Sequence, residues 1–266
     1  MNIFTIGETM PRVIKIVDLV PIIYTEGIKL AIEDRKSIAK KLEEETNGLV
    51  KMDVVTLDKG TASIESAYDE FVNAPYILQK VKWAEDNGYD AVVIDCFGDP
   101  ALDPAREIVS IPVVGANHSA CFLATQIAGR FSIINILPET EPLIRHLLAK
   151  YGLLQHLASI ETIHVPVLEL EKEPEKTVEK IVNASKKAYK EHSAYAIVLG
   201  CTGMSALAEA AQKKLREEKI EIPIIEPLRA AIYTAISWVL MGMTHSREAY
   251  KTPRPKIRTT DFKLPI

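Results

Sequence analysis

Two cysteines of this chain stand in matching surroundings, 105 positions apart. Cys96 ends the apolar run AVVID and is followed by FGDPAL, while Cys201 ends AIVLG and is followed by TGMSAL. In each stretch a glycine lies two residues beyond the cysteine, and a segment able to start a helix follows. A single free cysteine is most often a small buried hydrophobe. A matched pair at the ends of matched runs has a second reading, two thiols facing one another across a ligand. Inverting a stereocentre requires one group to remove a proton from one face and another to return one on the opposite face. Cysteine suits both roles because its ordinary pKa, about 8.5, leaves thiol and thiolate within reach near neutrality. A helix N-terminus just after each cysteine is expected to lower that value and favour thiolate. Phe97, Gly98 and Asp99, and Thr202, Gly203 and Met204, are placed to offer backbone N–H groups to a substrate oxygen that gains charge as the proton leaves.

The elements that position these residues follow from the apolar pattern. Short Val/Ile-rich runs near 2–6, 50–56, 91–95, 112–115, 131–136, 160–167, 195–199 and 222–225 read as strands. Helical patterns near 26–46, 75–87, 103–109, 117–128, 140–150, 174–191, 203–217 and 227–242 alternate with them. Strands without polar alternation belong to a parallel sheet covered on both faces, so the expected class is doubly wound α/β. The order also repeats. NIFTIGETMPRVIKIV matches RFSIINILPETEPLIRHL in style, VKMDVVTLDKG matches SIETIHVPVLE, and the two cysteine stretches match each other. IPVVGANHSACFLATQIAG then matches IPIIEPLRAAIYTAISWVLMG. Two similar α/β domains related by a pseudo-twofold axis, with a cleft between them, are therefore expected. Ligands of open parallel sheets collect at the carboxyl ends of the strands, where both cysteines stand.

Composition excludes several classes. With 47% hydrophobic and 26% charged residues over 266 positions, the chain has ample length for a buried core. A net charge of −4 gives no reason to expect nucleic acid or an anionic membrane as a partner. The longest apolar run, around Ile232–Met243, is broken by Thr234, Ser237 and Gly242 and falls short of the roughly 18 residues of a membrane span. MNIFTIGE enters an apolar pattern at once without a basic leader, and three cysteines form no even disulfide framework, so a reducing cytoplasm is expected. No GxxxxGK[ST] or GxGxxG loop is present, the histidines show no metal-ligand spacing, and no cofactor or metal is expected. Runs such as RKSIAKKLEEE and LELEKEPEKTVEK read as solvated helix faces with i,i+4 pairs. Cys121, within ACFLATQIAG, reads as packing. His118 follows the fourth strand at a position open to either a site role or a structural one. Glu226-Pro227 either faces the cleft or simply begins a helix with proline in its first turn. The tail KTPRPKIRTTDFKLPI reads as an extended arm.

CFGDPAL with DPARE, then IPVVG, GRFSI and VLGCTGM, resembles the hydantoin racemase family of the aspartate/glutamate racemase superfamily, and the resemblance spans most of the chain. It implies a cofactor-independent two-base racemase acting on a small molecule, with Cys96 and Cys201 as the bases, one per enantiomer. It also implies domains near 1–116 plus 226–266 and 117–225, and a homo-oligomer. Substrate contacts are then expected from Glu8, Thr9, Phe97, Gly98, Asn117, His118, Thr202 and Gly203. The chain departs from the family in its gripping loops. Gly7-Glu8-Thr9-Met10-Pro11 stands where an Asn-Pro-Asn-Thr-like loop is usual, and Ala116-Asn117-His118-Ser119-Ala120 replaces a Gly-Glu-Ala-Ala-like stretch. Gly203 stands where amino-acid racemases of the superfamily usually carry Glu, which weakens an aspartate or glutamate assignment; the resemblance implies a hydantoin or related amino-acid derivative as substrate. The alternatives are a free amino-acid racemase, a decarboxylase or isomerase of the same superfamily, and a small-molecule binding protein that no longer turns over.

Overall fold

The computed structural model describes residues 12–260. The strand expected over 2–6, and the expected contacts Glu8 and Thr9, lie outside those residues. Among the described residues the first sheet opens instead with β1, Ile14–Ile23. The expectation had passed over it because Lys15, Asp18 and Pro21 interrupt IKIVDLVPII. The β-branched residues prevail, and seven of its positions from Ile16 to Ile22 are buried. This also corrects the repeat, since β1 rather than 2–6 is the partner of the strand beginning at Phe131.

The other strands are β2, Val50–Leu57, β3, Ala91–Ile94, β4, Val113–Gly115, β5, Phe131–Asn135, β6, Leu157–Thr162, β7, Ala196–Leu199, and β8, Ile224–Ile225. They form two parallel four-stranded sheets in the orders β2-β1-β3-β4 and β6-β5-β7-β8. The same order in each half, in chain sequence, is the doubly wound repeat expected. Both central pairs also share a register, Leu19 beside Ile94 and Ile134 beside Leu199.

The helices are α1, Lys29–Glu45, α2, Ala67–Asp86, α3, Leu102–Ile108, α4, Ala116–Ala128, α5, Glu141–Lys150, α6, Pro174–His192, α7, Ser205–Glu217, and α8, Pro227–Leu240. α2 starts eight residues before the expected 75, because Ser66 caps it: its hydroxyl accepts from the Asp69 N–H at 3.2 Å. Pro75 lies inside the helix instead of starting it. Two helices exchange sides. α4 follows the first sheet but packs Ala120, Cys121 and Ala124 against Phe131, Ile133 and Val198 of the second. α8 follows the second sheet but packs Leu228, Ala231, Ile232 and Ala235 against Ile14, Ile16, Ala91 and Val93 of the first. Burying each of the larger α8 side chains is worth about 2 kcal/mol, so the exchange ties the halves together. Cys121 is fully buried in this packing, as expected. No helix among the described residues is long and apolar enough to cross a membrane.

Candidate active site

Residues at or just beyond the carboxyl ends of β1, β3, β5 and β7 line one cavity of about 120 Å³. Cys96 and Cys201 both stand on its wall, together with Phe97, Gly98, Thr202 and Gly203. The rest is largely apolar: Ile28 just before α1, Ile32 of α1, Ile64, Leu143 and Leu147 of α5, and Val167, Leu168 and Leu170. From the end of β1 come Val20, Pro21 and Ile22. Asn117 and His118 are not among the lining residues. Their backbone N–H groups donate to the Asp99 carboxylate at 3.0 and 2.9 Å, and the His118 ring packs on Phe122 and Tyr151. Asp99 also accepts from the Tyr151 hydroxyl at 2.8 Å, so the loop that carries Cys96 is fastened to α4 and to the end of α5.

The two thiols have like settings. Each accepts from the backbone N–H two residues on, Gly98 for Cys96 and Gly203 for Cys201, the latter at 3.4 Å. Both are partly accessible through the cavity while lying deep among protein atoms. That burial decides their acidity. It pushes Cys201 up to about 11 and Cys96 well above the ordinary thiol range, against the relief given by the N–H groups. The expected lowering is not what the structure shows. α3 begins only at Leu102, too far from Cys96 for its N-terminus to act, and a single short turn separates Cys201 from α7. No described residue accepts from the backbone N–H of Phe97 or Thr202.

Beneath the thiols lies a group of ionisable residues that the sequence reading passed over. Arg35, in the run RKSIAKKLEEE read as solvated, is buried. Its Nε donates to Asp95, the residue before Cys96, its Nη2 to the Thr202 carbonyl at 3.1 Å, and its Nη1 to the Ala31 carbonyl at 3.0 Å. The Thr202 hydroxyl donates to the Asp95 carbonyl at 3.2 Å. One guanidinium thus joins the two cysteine turns. The remainder of that run does form the expected surface pairs, Lys40–Glu44 and Lys41–Glu45. Asp18 of β1 is fully buried with no partner for either oxygen among the described residues, and burial, with Asp95 close by, pushes it well above the carboxylate range. Glu226 caps the start of α8, with Pro227 in the first turn. It accepts from the N–H groups of Leu228 and Arg229 and from the Ser205 hydroxyl, while burial pushes it up to about 7. Glu70 of α2 lines the cavity beside Cys96, and burial, then Asp99, pushes it up to about 7. The signal available in the sequence was a charged residue inside or closing an apolar run, as with Asp18 and Asp95. Arg35 and Glu70 sit in helices rich in charge and carried none.

The family described as Asp/Glu/Hydantoin racemase matches residues 35–235. A hydantoin racemase of Pseudomonas sp. (strain NS671) is 37% identical over 198 residues, 74% of this chain and 78% of that protein. A hydantoin racemase of Rhizobium meliloti is 37% identical over 196 residues, 73% of this chain and 79% of that protein. Among solved structures, an allantoin racemase from Klebsiella pneumoniae superposes with a TM-score of 0.83 at 33% identity, covering 94% of this chain and 97% of that one.

Proposed function

The chain belongs to the Asp/Glu/hydantoin racemase family, and from that premise we propose that it is a cofactor-independent racemase using Cys96 and Cys201 as paired acid and base. The observation that carries this reading is that the two thiols, at matching strand ends of two sheets with one strand order, line a single cavity. One thiolate removes the proton from a carbon next to a carbonyl. The N–H groups of Phe97 and Thr202 hold the oxygen of the resulting enolate, and the opposite thiol returns a proton to the other face. A thiol pushed up to about 11 yields a strong base once ionised, which suits the weak acidity of a carbon. The domain division that belongs to this reading, 1–116 plus 226–266 against 117–225, is supported by the packing of α8 on the first sheet and α4 on the second.

The wall argues for a neutral cyclic amide of the hydantoin type over a free amino acid. A substrate carboxylate needs a cation, and Arg35, which lines the cavity, is already engaged by Asp95. Glu65, Glu70 and Glu171 also line the cavity and oppose a second negative charge. The hydantoin and allantoin racemases among its relatives point the same way.

The test is α-hydrogen exchange in deuterated water with single enantiomers of hydantoins, allantoin, aspartate and glutamate. Exchange with racemisation is expected for cyclic amides and not for the two amino acids. Cys96→Ala and Cys201→Ala are each expected to abolish racemisation, and full activity in either variant overturns the two-base reading.

A further inference from the structure

We propose that the two thiols are inequivalent in the resting protein, with Glu70 holding Cys96 as the acid and Arg35 favouring Cys201 as the base. This rests on the paired-thiol chemistry argued above and adds one positioning residue on each side of it. The two cysteine turns are alike in their strand ends and in the N–H bond each sulfur accepts, so a difference between them must come from a third group. On the Cys96 side that group is a carboxyl. Glu70 projects from the first turn of α2 into the cavity wall, and its Oε1 stands 2.1 Å from the point where a Cβ on Gly98 would be. The Cys96 sulfur stands 3.7 Å from that same point, so carboxyl and thiol share one corner of the cavity. No described residue donates a hydrogen bond to this carboxyl.

On the Cys201 side the group is a guanidinium. Arg35 is fixed by its bond to the carbonyl of Thr202, the residue following that cysteine. The charged neighbours of Cys96 are Glu70 and Asp95, with Cys201 opposite. Those of Cys201 are Arg35, Asp95 and Glu65. Asp95 acts on both thiols in the same sense, and Glu65, which accepts from the Val167 N–H at 2.8 Å, opposes a thiolate at Cys201 less than Arg35 favours it. The difference that remains is the foremost charged neighbour, negative Glu70 at Cys96 and positive Arg35 at Cys201. A carboxylate disfavours a neighbouring thiolate and a guanidinium favours it. The enantiomer whose hydrogen points at Cys201 therefore meets the resting protein in the right protonation state. Its mirror image has to wait for the proton to move from Cys96 to Cys201 by way of water.

Alkylation reads this without any substrate. The full chain is treated with iodoacetamide near pH 8.5, where thiolate is the reacting form, and peptides carrying Cys96, Cys121 and Cys201 are followed by mass spectrometry. Glu70 is ionised at that pH. Cys201 is expected to react faster than Cys96. Glu70→Gln is expected to speed Cys96 by about tenfold, one pKa unit of thiolate, with Cys201 unchanged, and Glu70→Asp to keep Cys96 slow. Unchanged thermal melting of both variants shows that the fold is retained. Cys96 reacting as fast as Cys201 in the unsubstituted protein, or at an unchanged rate in Glu70→Gln, overturns the proposal. The readings fail separately: a protein that exchanges no hydantoin overturns the proposed function and leaves these rates standing. A protein that racemises with equal thiol rates overturns only the inequivalence.

Discussion

At the scale of single residues, the glycine before Cys201 is as much a part of the site as the cysteine. A Cβ on Gly200 would stand 2.7 Å from the carbonyl oxygen of Ile134 and 3.2 Å from the Cα of Asn135. Both obstacles are backbone of β5, and the Gly200 N–H is bonded to that same carbonyl at 2.7 Å. Relief therefore requires the sheet to part where Cys201 is carried. Gly98 differs, because its obstacle is the far end of the Glu70 side chain, which can turn away. Gly200→Ala is expected to destabilise the protein by about 2 kcal/mol, the usual cost of overpacking, and to lose more activity than stability as the thiol shifts. Urea unfolding beside the exchange assay measures both, and a variant with full stability and activity would show that β5 yields.

At the scale of elements, α1 matters through one side chain directed at the site. The Arg35–Asp95 pair is almost wholly buried, with 4% and 0% of the side chains exposed. Removing one partner of such a pair strands a charge, while removing both does not. Arg35→Met and Asp95→Asn are each expected to cost about 3 kcal/mol, and the double variant less than their sum. A denaturant double-mutant cycle decides it, and simple additivity would mean that the two side chains do not act as a unit. The same pair shows what sequence can and cannot display. The alternation of strands with helices, its repeat and both cysteines were legible because short β-branched runs and their ends are local patterns. Arg35 was not, since in EDRKSIAKKLEEE it looks like its solvated neighbours, and only partners distant in sequence, Asp95 and Thr202, mark it as a buried residue. β1 was missed for a related reason. Lys15 and Asp18 break its apolar run, and nothing local shows that Asp18 is buried in a seam of other carboxyls.

At the scale of the whole molecule, that seam gives the fold a pH dependence. Asp18 and Asp95 come from the first sheet, and Glu226 joins the start of α8 to Ser205 of α7, with Arg35 as the cation facing them. The carboxyls outnumber the guanidinium, so burial keeps some of them protonated. A carboxyl whose folded pKa is raised binds its proton more tightly in the fold than in the unfolded chain. Its stabilisation is complete below the unfolded value and is lost as pH rises through the folded one. For Glu226 the window runs from 4.5 to about 7. The loss is at most about 3 kcal/mol, at 1.36 kcal/mol per unit. Glutamine in its place does not titrate, so the cost of Glu226→Gln should shrink steadily between those two pH values, by up to that amount. Urea unfolding of both proteins at pH 4.5 and 7.5 gives the two differences directly. A cost that stays constant across the window would mean that Glu226 is ionised throughout, and that Arg35 balances more of the seam's charge than its bonds to Asp95 and Thr202 imply.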